Sequence, residues 1–159
     1  MPNYTTRPAT IDDAPVIAEY NRAMARETEH RELDPARLLA GVEAVFAQPG
    51  HGRYLVATDA SGAVVGCLMI TYEWSDWRNG CFWWVQSVYV HPDHRRRGVF
   101  RLLYRSVREL GEAEGGVCGY RLYVERENRS AQQTYRSLGM AGTPYLVFES
   151  ETPDRSGAG

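Results

Sequence analysis

Residues 82–110 read FWWVQSVYVHPDHRRRGVFRLLYRSVREL, and the spacing of the apolar residues changes part-way along. From Phe82 to Val90, aromatic and β-branched residues dominate, which suits a pleated, well-packed strand. Pro92 and Asp93 stop it, because proline has no N–H for the ladder and Pro-Asp favours a turn. Beyond the turn, Val99, Leu102, Leu103, Val107 and Leu110 fall at helical spacing, with Arg101, Arg105 and Arg108 on the other side. The join between the two patterns is His94-Arg95-Arg96-Arg97-Gly98.

That join has a chemistry. A helix begins with backbone N–H groups that lack partners, and its dipole adds partial positive charge there. Gly98 lets backbone approach a ligand with no Cβ in the way. Three arginines bring charge and fork-shaped donors that match phosphate oxygens. Taken alone, Arg95–Arg97 reads equally as a solvated basic turn. Strand, glycine-containing turn and helix in that order favour an anion site, and a diphosphate is its natural occupant.

The rest of the chain bounds what this site serves. At 159 residues it is long enough for one domain with a proper core, and its 43% hydrophobic and 24% charged residues are those of an ordinary globule. The net charge of −2 argues against a general nucleic-acid binder. All 18 cationic side chains are arginine, which excludes a Schiff-base lysine and a P-loop. Cys67, Cys81 and Cys118 have no C-x-x-C spacing and read as small core residues. With no long apolar run and no targeting signal, the expectation is a cytoplasmic protein with no membrane partner.

In chain order, Asn3–Arg7 is a strand candidate, and Thr10 caps a helix running to about Glu27. Asp34-Pro35 opens a second helix, to about Ala47. Strands follow at about Arg53–Thr58 and Ala63–Tyr72, joined by Asp59-Ala-Ser-Gly62. A loop, Glu73–Gly80, leads into the central strand and helix. Tyr120–Val124 reads as a strand, Ser130–Leu138 as a short helix ended by Gly139, and Pro144–Glu149 as a last strand. Residues 150–159 are expected to be a disordered tail after a single domain over 1–149. The order implies an α+β, three-layer (α/β-like) architecture with a parallel crossover at its centre.

With that order in hand, the chain resembles the GNAT superfamily of acyl-CoA-dependent N-acyltransferases over about Asn3–Glu149. V-Y-V-H-P-D-H-R-R-R-G-V-F is similar to the family's strand and Q/R-x-x-G-x-G/A pyrophosphate loop. Arg95 takes its first position, Gly98 its fourth, and Phe100 replaces the small sixth residue. Asn128, Ala131, Tyr135 and Gly139 match N-x-x-A-x-x-x-Y-x-x-x-G. The resemblance implies a mixed, mostly antiparallel sheet of six to seven strands flanked by about four helices. It implies acetyl-CoA or CoA as co-substrate, no metal, and an amine of a small molecule or peptide as acceptor. A homodimer through an exposed strand or C-terminal segment is compatible with it.

The implied cofactor-binding set is Val88, Tyr89 and Val90, the turn residues Arg95, Arg96, Arg97, Gly98, Val99 and Phe100, and then Asn128, Ala131 and Tyr135. Tyr135 is implied as the general acid for the departing thiolate. Where family members often carry a glutamate, this strand has Gln86, which takes no proton but orients an amine or water. Glu73, Asp76 and His91 stand as candidate bases. The acceptor pocket is expected from Glu73–Gly80, Trp83 or Trp84, and the helix pair near 27–32. Two other readings stay open: a catalytically silent CoA-binding or sensory module, and a nucleotide binder, which lacks the G-x-G-x-x-G fingerprint.

Overall fold

The structure, a computed structural model, describes residues 3–153. The chain divides into two compact units, one reaching to Tyr123 and one starting at Val124.

The first unit is a three-layer sandwich. Five strands, β1 (Thr5–Pro8), β2 (Arg53–Thr58), β3 (Val64–Ser75), β4 (Gly80–Val90) and β5 (Val117–Leu122), lie side by side in chain order. All neighbours are antiparallel except β4 and β5, which are parallel and joined through helix α3 (Val99–Glu114). A parallel pair needs such a crossover, whereas β2–β3 and β3–β4 close by short turns. Helices α1 (Ala14–Glu29) and α2 (Pro35–Ala47) pack on Tyr54, Val56, Cys67 and Tyr89 of the sheet. On the other face, Val99 of α3 seats against Gly66, and Gly111 of α3 against Tyr120. Ile17, Leu55, Leu68, Ile70 and Leu103 are fully buried, each contributing roughly 2 kcal/mol.

Helix α2 starts as read, with the Asp34 carboxylate accepting from Ala36 N and Pro35 at its first position. The start of α1 differs from the expectation. A single 3-10 turn, Ile11–Asp13, precedes the α-helix. Pro15 has no N–H to close an α-turn there, so the chain tightens to Asp13 N → Thr10 O and Ala14 N → Ile11 O. Asp13 fixes the corner: its carboxylate accepts two bonds from Arg7, at 2.7 and 3.0 Å, and one from Thr10 N–H at 2.8 Å.

The Arg7 hydrogen bond holds the Asp13 carboxyl below the usual range, with Thr10 N–H adding to it and burial opposing. Asp13→Ala is therefore expected to cost about 2 kcal/mol near neutral pH, since a buried corner loses its cap. A depressed carboxyl contributes stability that is present above its ordinary value near 4 and lost as pH falls through its folded-state value. Denaturant titrations at pH 7 and well below pH 4 check this: the gap between wild type and variant should close in acid.

Three expectations about the sheet are corrected. Glu73–Gly80 is not an open loop, because β3 continues to Ser75 and pairs Trp74 with Cys81 and Ser75 with Gly80. Aromatic and β-branched side chains on both arms extend the hairpin until Asp76–Asn79, where Asn79 takes a positive φ of 46°. Strand β5 begins at Val117 and ends at Leu122, shifted toward the N-terminus from the expected 120–124. Among the described residues the sheet has five strands, not six or seven, because 144–149 forms no strand. A strand-like composition does not make a strand without a ladder partner, and Tyr145–Phe148 are exposed.

The second unit contains α4 (Arg129–Ser137), whose N-cap is Asn128 with its Oδ1 accepting from Ala131 N at 3.1 Å. Gly139 follows the helix at φ 90°, and its N–H bonds Arg136 O, as a C-terminal glycine should. The tail expected from residue 150 lies outside the described residues beyond Pro153.

Candidate active site

Strand β4 loses its regularity where the chemistry was expected. In the β3 register Cys67 faces Tyr89 and Met69 faces Gln86, so Leu68 is opposed by two residues, Ser87 and Val88. Ser87 sits at φ 52°, a left-handed conformation that puts one extra residue into the strand. On the other side, β5 pairs with β4 only from Cys81 to Val85. From Gln86 to Val90 that edge of β4 has no β5 partner. Val88, Tyr89 and Val90, expected to bind the co-substrate, lie on this stretch, and unpaired strand edges are able to bind extended amides.

The edge runs directly into the turn. After Val90, Pro92–His94 makes a 3-10 turn whose cap is the His91 ring, Nδ1 accepting from Asp93 N. Arg96 (φ 61°) and Gly98 (φ 81°) both take left-handed backbone, and α3 starts at Val99. Leu102 N is the first N–H to bond back into the helix, on Gly98 O. Arg96, Arg97, Gly98, Val99 and Phe100 thus lie at a turn and helix start, the kind of place where backbone N–H groups suit an anion. A Cβ built on Gly98 meets nothing within 4 Å. Glycine is required there for its backbone angle and for a ligand's approach, not for packing within the protein. Phe100, in place of a small residue, lies back along α3 with its ring 6.1 Å from that of Tyr104.

Arg95 is placed otherwise than expected. Its Nε donates to Val90 O at 2.9 Å, and its terminal nitrogen donates to both Glu27 oxygens, at 3.0 and 3.2 Å. The guanidinium lies 5.3 Å from the centre of the Tyr89 ring.

The candidate bases separate. Glu73 accepts from Arg121 at 2.7 Å and from Trp84 Nε1 at 3.0 Å through the same oxygen, so it is engaged with its own sheet. Asp76 is in the hairpin turn beyond Gly80, about 20 Å along β4 from Gln86. His91 has its Nδ1 in the turn cap. Gln86 donates its amide N–H to Thr71 Oγ1, which fixes the orientation of its head group.

Beside the bulge lies a cleft of about 470 Å3 whose walls come from α1 and α2 and whose base includes Tyr54 and Ser87. Met24, Leu38 and Val42 make it apolar inside, while Glu29, Arg31 and Arg37 supply charge. Burial pushes the Tyr54 hydroxyl up to about 12. The pocket expectation is thus half corrected. The helix pair does line this cleft, but Glu73–Gly80 does not, and Trp83 is buried on the opposite face against Tyr72 and Tyr120. Trp84 stacks on Tyr123, 4.6 Å between ring centres. Sequence reasoning missed the bulge at Ser87 and the bond from Arg95 to Glu27.

In the second unit, Ala131 and Tyr135 lie four residues apart on one face of α4, and Asn128 is its N-cap. Burial raises the Tyr135 phenol above the usual tyrosine range.

The family model for the acetyltransferase (GNAT) family matches residues 15–140. The chain belongs to this family. A solved structure described as a possible acetyltransferase from Clostridium difficile 630 is 42% identical, with 95% of this chain and 99% of that one covered and a TM-score of 0.87. An integron cassette protein from the Cole Harbour salt marsh metagenome is 19% identical, with 94% and 91% covered and a TM-score of 0.80. The aminoglycoside N-acetyltransferase AAC(6')-Iy in complex with CoA is 17% identical, with 95% and 96% covered and a TM-score of 0.74; the likeness here is one of fold. No curated protein matches the chain. As a GNAT acetyltransferase, the chain has its family's α+β fold, with a five-stranded mixed sheet and four α-helices among the described residues.

Proposed function

We propose that this GNAT protein is a cytoplasmic N-acetyltransferase, taking acetyl-CoA as co-substrate and a primary amine of a small molecule or peptide as acceptor, by direct attack in a ternary complex. The observation that carries the reading is the β4 edge from Gln86 to Val90, which lies beyond the end of β5, carries the bulge at Ser87 and leads straight into a turn with left-handed Gly98. These residues fit the co-substrate: an open strand edge for amide groups, then backbone N–H donors at a helix start for a diphosphate. Acetyl-CoA supplies the activated thioester carbonyl. The backbone beside the bulge binds and polarises that group. Gln86, oriented by Thr71, accepts from the amine, and Tyr135 holds the proton needed by the departing sulfur. With Gln86 unable to take a proton, the amine's own proton passes to water.

The charged residues of the cleft, Arg31 and Arg37 against Glu29, favour an amine that carries an acidic group over a polycation. Thermal unfolding with millimolar acetyl-CoA, CoA, ATP and NAD tests the co-substrate. A ligand at 100 times its dissociation constant adds about 2.7 kcal/mol, so both CoA species should raise Tm and ATP and NAD should not. An amine panel assayed for free thiol then tests transfer. CoA binding with no transfer to any amine would leave a silent binding module.

A further inference from the structure

The Arg95–Glu27 pair is poorly explained as a stabilising contact. The two side chains are 44% and 40% exposed, and such pairs contribute about 0–1 kcal/mol. It also occupies the guanidinium expected to face phosphate. What it does is join two parts of the site. Arg95 begins the anion turn and is fixed to the end of β4 through Val90 O. Glu27 is in the last turn of α1, among Met24, Ala25, Thr28 and Glu29, which form one wall of the cleft. A second contact runs parallel: Tyr89 of β4 packs on Tyr20 of α1, 5.0 Å between ring centres.

We propose that Glu27 is a positioning residue that couples the anion turn to the acceptor cleft. Through Arg95 it ties the end of α1 to the turn, so that ordering the turn orders the cleft wall. The inference rests on the acetyl-CoA reading above. Coupling of this kind is reciprocal, and factors of about 5–150 are typical. His30 ends α1 with a left-handed residue (φ 51°) directly after Glu29.

Hydrogen exchange of the whole protein, with CoA itself as the probe, tests this. In wild type, CoA is expected to slow exchange at residues 99–102 and, about tenfold, at residues 24–30 of α1. In Glu27→Gln, the slowing at 99–102 should persist while that at 24–30 disappears, with Tm in the absence of ligand unchanged within a degree or two. Glu27→Asp, which keeps the carboxylate, should restore part of the α1 protection. Equal protection of 24–30 in wild type and Glu27→Gln would overturn the coupling. Tighter CoA binding by Glu27→Gln with unchanged α1 protection would also overturn it, making Glu27 only a placeholder for phosphate. No slowing at 99–102 in wild type would instead remove the acetyl-CoA reading and the coupling with it.

Discussion

Gly98→Asp is expected to abolish measurable CoA binding while leaving the fold intact. The substitution is tolerable to the protein because a Cβ at this position meets nothing within 4 Å. Aspartate visits left-handed backbone more readily than most residues, so φ 81° costs it about 1–2 kcal/mol at most. Part of that is returned, because a carboxylate at the start of α3 suits the helix dipole. The same gain excludes the ligand. The carboxylate occupies the cradle, and two unit charges about 4 Å apart at an effective dielectric of 20 repel by about 4 kcal/mol. Calorimetric titration should therefore show at least a hundredfold loss in CoA affinity, with little change in Tm. Gly98→Asn, which shares the shape and backbone tolerance but not the charge, should lose far less. A dissociation constant within tenfold of wild type for Gly98→Asp would mean that the diphosphate binds elsewhere.

The second large effect is expected from Tyr135→Phe, which removes one oxygen and keeps the ring. A positioned general acid contributes about 10²–10⁴ in rate, so kcat should fall at least a hundredfold. CoA affinity should stay within about twofold, since the ring and helix α4 are unchanged. Burial raises this phenol above the usual value near 10, so it keeps its proton throughout the neutral range. The variant should also lack any decline in rate at high pH that comes from loss of that proton. Steady-state kinetics with each substrate varied decides the matter, and an unchanged kcat would take the acid role from Tyr135.

Much of this was readable from the chain. The change from aromatic strand to helical spacing at Val99, with Pro92 and Gly98 between, locates β4, the turn and α3. Asp34-Pro35 locates the start of α2 in the same local way. What escaped was set by partners distant in sequence. Ser87 has no special tendency toward a positive φ, and the bulge shows only in the register of β4 against β3. Glu27 falls at the edge of the expected acceptor pocket, but its bond to Arg95, 68 positions away, is not legible in the chain. Glu73–Gly80 looked like a loop because polar residues are mixed with tryptophans, yet cross-strand pairing with 80–83 carries the hairpin farther. Tyr145–Phe148 fails in the opposite sense, with local strand character and no ladder.

The seating of α3 has a mechanical side. The helix meets the sheet through a glycine at two places. Near its start, a Cβ on Gly66 would stand 3.2 Å from Val99 Cγ1; farther along, one on Gly111 would collide with the Tyr120 ring. The helix is a beam on two supports, and the anion cradle is its free end. Twelve residues separate Val99 from Gly111, about 18 Å of helix, so about 3° of tilt raised at the far support displaces the cradle by about 1 Å. The position of the α3 start is thus held partly by a glycine twelve residues away.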